Sequence, residues 1–178
     1  MRKLPIGNNV PDNVNVVIEI PTQSSPVKYE VDKKSGLLMV DRIMSAPMFY
    51  PANYGFIPHT LSDDGDPADV LVVSSEPLVH GCVVPSRPVG ILNMTDEAGE
   101  DAKILAVPAG KICHESQHIN SYTDLPPRLI AQITHFFEHY KELEEGKWVK
   151  IQGWSDADAA KAEIIASIRR FEESELSD

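Results

Sequence analysis

The chain has 178 residues, enough for one domain with a substantial core and too short for two comfortable ones. Apolar residues at 42% and charged residues at 24% argue against disorder. The net charge of −11 argues against a nucleic-acid or anionic-membrane surface, because both are polyanions, but leaves room for a small anionic substrate if metal cations invert the local sign.

The N-terminal segment MRKLPIGNNV carries basic residues with no apolar stretch behind them, so no secretory leader is expected. The first two-thirds of the chain is punctuated by Pro and Gly, with short β-type runs between. VNVVIEIP (14–21), VKYEVD (27–32), LLMVDRI (37–43), VLVVSS (70–75), RPVGILNM (87–94) and KILAVP (103–108) read as strands, rich in β-branched residues and bounded by turn formers. PPRLIAQITHFFEHYKELEE reads as an amphipathic helix with Leu129, Ile130, Ile133, Phe136, Phe137 and Tyr140 on one face. Asp124 is its expected N-cap, with Pro126 and Pro127 in the first turn and Gly146 past the end. KWVKIQGW (147–154) returns to strand, and SDADAAKAEIIASIRRFEESE closes the chain as a second helix. There Ser155 and Asp158 resemble a capping box, and Ile164, Ile165, Ile168 and Phe171 form the expected buried stripe.

Many short strands without intervening helices predict a closed or partly closed barrel, with both helices packed on it, rather than a parallel α/β sheet. The expected fold class is therefore α+β, mainly β, in a single domain over 1–178. No apolar run approaches the roughly 20 residues that span a bilayer. Cys82 and Cys113 are too few for a disulfide framework, and reduced thiols in the cytoplasm are the simplest expectation.

The segment DDGDPADV puts Asp63, Asp64, Asp66 and Asp69 directly before an apolar strand. Asp64 and Asp66 are two apart, which in extended chain points them to one side, and Pro67 biases Asp66 toward extended geometry. Oxygen-only ligands at this density suit a hard divalent cation such as Mg²⁺ or Mn²⁺. A second acidic group, Asp96, Glu97, Glu100 and Asp101, is closed by Lys103 and also lies between strands, so both groups can share one end of a barrel. Glu19 and Glu30 add carboxylates inside apolar strands, where charge is tolerated poorly without a partner. Taken alone, each cluster is equally well read as a solvated turn. An EF-hand reading fails, because Ala68, Asp69 and Ser75 stand where that loop needs Asp or Asn, Gly and Glu.

The basic and phenolic residues favour chemistry over solvated turns. Lys28 shares a strand side with Glu30, Arg42 ends its strand, Tyr50 and Tyr54 flank YPANYGFIPHT, and Tyr140 and Lys141 sit near the end of the first helix. Many carboxylates with several cations are what metal-assisted phosphoryl chemistry needs.

YPANYGFIP followed by DGDPADV, with EDAK and HFFEHYKELEEGKWVKIQGW further on, resembles the soluble family I inorganic pyrophosphatases, especially the short bacterial form. The likeness runs from about Asn15 to the C-terminal helix; Ala68, where the family more often has a larger aliphatic, is a small departure. The resemblance implies Mg²⁺-dependent hydrolysis of inorganic diphosphate to two orthophosphates by metal-activated water. It also implies a distorted five-stranded, OB-like barrel flanked by two helices. By matching motif position, Asp64, Asp69 and Asp101 look like the principal metal ligands, Asp96 like a ligand for a further metal, and Glu19 and Glu30 like outer or water-mediated ones. Asp66 matches the general base. Lys28, Arg42, Tyr54, Tyr140 and Lys141 match the diphosphate-binding residues, with Tyr50 and Lys103 in support. Bacterial members of the family form hexamers, so a homo-oligomer is implied.

Two zinc-protease signatures compete with this reading. HESQH (114–118) is a literal H-E-x-x-H and HFFEH (135–139) a literal H-x-x-E-H. The first has little apolar periodicity for a substantial helix. The second is helical, but His135 and His139 lie away from the apolar stripe and suit an assembly contact better than a catalytic cleft.

Overall fold

The computed structural model describes residues 4–32 and 34–176; Met1–Lys3, Lys33, Ser177 and Asp178 lie outside the described residues. In chain order the strands are β1 (Val14–Ile20), β2 (Val27–Val31), β3 (Leu38–Ile43), β4 (Asn53–Phe56), β5 (Asp69–Val72), β6 (Val83–Asp96), β7 (Gly99–Glu100), β8 (Lys103–Pro108) and β9 (Val149–Ser155). Helix α1 is Pro127–His139 and helix α2 is Ala157–Glu175. No helix among the described residues is long and apolar enough to cross a membrane.

Pairing runs β1-β4-β5-β8-β6, and β6 returns to pair with β1, so five strands close into a ring. The expected mainly β barrel with two flanking helices is what forms. Strand β6 makes closure possible because it is long enough to meet β1 near its start, β8 along its middle and β9 toward its end. Register shifts after Pro88 and Asn93 bend it between these partners. The separate β2–β3 hairpin stands beside the ring.

The wall of the ring is buried on both faces. Val70, Val72, Ile104 and Ala106 join a cluster with Ala160 and Ile164 of α2, whereas Leu71, Leu105 and Val107 join one with Ile133, Phe136 and Phe137 of α1. That is why VLVV and KILAVP read as unbroken apolar runs instead of alternating ones. On α1 the sequence stripe is the buried one, with Leu129 and Ile130 at its margin. On α2 the fully buried residues are Ala160, Ile164 and Ser167, while Ile165 is only half-buried. Small side chains bring this helix close to the wall, and the Ser167 hydroxyl is satisfied by donating to Ile164 O at 2.9 Å.

Three local expectations are corrected. Asp124 does not cap α1: it forms a capping box with Ser121 around a short 3₁₀ turn, and α1 begins after Pro126. At α2 the cap is Asp156, whose carboxylate accepts from Ala159 N–H at 2.9 Å, not the Ser155–Asp158 pair. The segment carrying Asp64 and Asp66 is a turn with Gly65 at φ +89°, not extended chain. Strand β4, inside YPANYGFIP, is not among the strands expected from the sequence. Gly55 is required there for close approach: a Cβ at this position would stand 1.9 Å from Val17 O on β1.

Candidate active site

Strands β5 and β8 run parallel with Val70 opposite Ile104, so their entering ends lie together and Asp69 stands beside Lys103. The β6–β7 turn brings Asp96 and Asp101 to the same end, pinned where Asp101 N–H donates to Met94 O at 2.9 Å. In the β2–β3 hairpin Lys28 pairs directly with Arg42, which sends both side chains to one side. Tyr54 arrives on β4, and Tyr140 and Lys141 leave the last turn of α1.

All of these converge on one cavity of about 280 Å³. Every residue to which the family resemblance gives a site role lines it: Asp64, Asp66, Asp69, Asp96, Asp101, Glu19 and Glu30, with Lys28, Arg42, Tyr50, Tyr54, Lys103, Tyr140 and Lys141; Asp63 and Glu100 of the acidic clusters do not. The turn geometry of 62–66 still delivers both Asp64 and Asp66 to the cavity, through Ser62 N–H to Asp66 O at 2.7 Å and Asp66 N–H to Asp64 Oδ1 at 3.0 Å. Beneath the polar groups, Tyr50 packs on Phe136 at 4.6 Å between ring centroids and Phe137 on Tyr140 at 5.5 Å. This aromatic floor is continuous with the α1 side of the core.

The cations are held by carboxylates. Lys103, only 3% exposed, bonds Asp69 at 2.5 Å and also Asp101; the two carboxylates hold its pKa well above the usual lysine value although burial works in the opposite direction. Lys141 reaches Asp96 at 2.6 Å. Burial works to raise the Asp96 carboxyl, yet the Lys141 ammonium and the Ala98 N–H outweigh it and the net direction is down. Lys28 bonds Glu30 and lies 3.4 Å from Asp41, while Arg42 meets Glu144 at 2.8 Å. Burial pushes Glu19 up to about 8, with Asp69 and Glu30 adding to the rise and the Val31 N–H, donating at 2.7 Å, opposing it. Burial likewise raises Asp64 and Asp101, and each lies in the field of Asp69.

Among the described residues, eight carboxylates against four cations line the cavity, an excess of negative charge. No imidazole or thiol lines it, so the donor set is the hard-oxygen kind that suits Mg²⁺-like ions. Among the described residues no three His, Cys, Asp or Glu side chains are already gathered around one point; the Lys103 ammonium stands between Asp69 and Asp101 instead.

The sequence reading passed over Asp41 and Glu144, which hold Lys28 and Arg42, and gave no role to Glu97, which lines the cavity near Lys141. Asp41 is the bulged residue between the Lys28–Arg42 and Tyr29–Val40 pairs, so no regular strand alternation places it beside Lys28. Glu144 sits in KELEEGK, where nothing distinguishes it from a solvated helix end. The HESQH signature falls on a three-residue 3₁₀ turn (His114–Ser116) with both histidines exposed. His135 and His139 lie with tilted rings 4.4 Å apart on the outer side of α1, away from the cavity.

The family model described as Inorganic pyrophosphatase matches residues 16–172. This chain belongs to the inorganic pyrophosphatase family. The inorganic pyrophosphatase of Vibrio cholerae is 61% identical over 170 residues, covering 96% of this chain and 97% of its own. That of Escherichia coli K12 is 61% identical over 167 residues, covering 94% and 95%. The solved structure of an inorganic pyrophosphatase from Coxiella burnetii superposes with a TM-score of 0.91 at 50% identity, covering 94% of this chain and 99% of that one. Family membership makes the chain a hydrolase, and pyrophosphatases share its barrel.

Proposed function

We propose that the chain, working as one domain over 1–178, hydrolyses inorganic diphosphate to two orthophosphates with Mg²⁺ as cofactor. The observation that carries this reading is the single cavity in which an excess of carboxylates meets Lys28, Arg42, Lys103 and Lys141, in a chain of the pyrophosphatase family. Asp64, Asp69 and Asp101 are the residues that would hold the metal, with Asp96, Glu30 and Glu19 at the margin. When bound, Mg²⁺ offsets the charge of the diphosphate and acidifies the attacking water. Asp66 orients that water and accepts its proton. The water oxygen bonds to one phosphorus while the bridging P–O bond breaks. Arg42 and Lys141 take the charge developing on the departing phosphate. Lys28, Tyr54 and Tyr140 position the substrate, and Tyr50 and Lys103 support them from below.

The deciding experiment measures orthophosphate release from diphosphate. Release is expected with Mg²⁺, none with EDTA, and recovery on Mg²⁺ re-addition; EDTA-insensitive hydrolysis would overturn the metal role.

Two further readings accompany this one. Cys82 and Cys113 are free thiols, which fits a reducing cytoplasm. Exposed Leu37, Met39, Val40 and Ile43 on and beside β3, and the histidine pair on α1, are surfaces suited to assembly of a homohexamer.

A further inference from the structure

We propose that Arg170, on α2, is a positioning residue of the hydrolytic site: it fixes the loop 58–68 against the helix so that Asp64 and Asp66 face the cavity. The inference rests on the reading of those two aspartates as site residues.

The loop has two sets of bonds with different consequences. Its internal ones, Ser62 N–H to Asp66 O at 2.7 Å and Gly65 N–H to Ser62 O at 3.0 Å, give the turn its shape but say nothing about where the turn sits. Position comes from outside. At the base, Ile57 N–H, next to β4, donates to Ala68 O, next to β5, at 3.0 Å and closes the loop ends, while the internal bond from Ala68 N–H to Thr60 Oγ1 at 2.9 Å braces the closure. On the flank, α2 takes both backbone groups of Leu61: its N–H donates to Ser167 O at 2.9 Å, and its carbonyl accepts from Arg170 Nε at 2.7 Å. The remaining guanidinium nitrogens meet Asp63 at 3.5 Å and the Glu163 carboxylate. The next residue, Phe171, packs edge-on to His59 at 5.5 Å, where the chain adopts φ +56°.

Arg170 therefore does two things for this loop. Its planar fork sets the distance between α2 and Leu61, three residues before Asp64. Its charge also lies beside Asp63, the one aspartate of the cluster that does not line the cavity, and so offsets repulsion that would splay the turn. Groups that hold ligands in place from outside the first contact layer shift metal affinity and activity by about 10- to 100-fold when removed.

The test compares Arg170→Ala and Arg170→Gln with wild type, using three measurements well below the melting transition. These are binding of Mn²⁺ to substrate-free protein by the EPR signal of free Mn²⁺, kcat and KM for diphosphate, and circular dichroism. Both variants are expected to keep the native spectrum, to bind Mn²⁺ about tenfold more weakly and to lose about tenfold in kcat. KM should stay within about twofold, because Lys28, Arg42 and Lys141 are untouched. If the Ala variant does not fold, the Gln variant, which keeps a donor of reduced reach, carries the comparison. Folded variants with wild-type Mn²⁺ affinity and kcat overturn the proposal. Asp64→Asn is run beside them: a fall in its kcat with unchanged Arg170 variants removes the clamp alone, whereas an unchanged Asp64→Asn removes the site reading and the clamp with it.

Discussion

Asp66 and Asp69 stand three residues apart with different proposed roles, and replacing each with Asn separates the two. Asp66 is exposed on its turn, so Asp66→Asn should cut kcat by orders of magnitude while the melting temperature stays near wild type. Asp69 also partners a buried ammonium at 2.5 Å. Asp69→Asn should therefore lose turnover to a similar extent and in addition about 1–3 kcal/mol of stability, because Lys103 keeps only Asp101. Steady-state kinetics beside thermal melts will read both, and turnover near wild type in both variants would remove the site assignment. Glu19 gives a prediction in pH. Its carboxyl is raised from 4.5 to about 8, so between those values the folded chain holds the proton that the unfolded chain has released. The contribution is full below about 4.5 and is lost as pH rises through about 8. In EDTA, Glu19→Gln should gain melting temperature relative to wild type steadily across that window. A difference that stays flat with pH would contradict it.

At the scale of elements, much was legible because local pattern and tertiary role agree. Strands over 14–21, 27–32 and 103–108 fall where β1, β2 and β8 form, and the apolar stripe of α1 is the buried face. Legibility failed where a strand carries turn residues for a tertiary reason. Strand β4 contains Gly55 because β1 passes too close for a side chain, and no local rule reports a neighbour far away in sequence. Gly55→Ala should break the β1–β4 pairing and with it the ring, giving protein that melts many degrees lower or fails to stay soluble; a wild-type melt would show that the strands can separate freely. Strand β6 was legible only over 87–94, because Pro85 breaks the β-type pattern before it; Pro88, inside the expected strand, is accommodated by the bulge that follows it. Caps were missed by one or a few residues, since Ser155, Asp156 and Asp158 are all competent acceptors and only backbone geometry selects among them.

For the molecule as a whole, a net charge of −11 and a carboxylate-rich cavity would repel a polyanion. Family membership together with Lys28, Arg42 and Lys141 makes sense of the contradiction once divalent cations are counted. Assembly, as proposed above, would be the other whole-molecule property. His135 and His139 face outward from α1 with rings 4.4 Å apart, so the double variant His135→Ala, His139→Ala should sediment as a smaller species than wild type. An unchanged sedimentation coefficient would clear this face of an assembly role. The sequence by itself determined the class of fold, the buried face of α1 and the residue types gathered in the cavity, because these follow from periodicity, composition and side chains clustered along the chain. Only the tertiary structure decided that β6 closes the ring onto β1, that Lys103 stands between Asp69 and Asp101, and that Asp41, Glu144 and Arg170 hold what the motifs supply. Those depend on strand register and on contacts between residues distant in sequence, which exist only once the chain has folded.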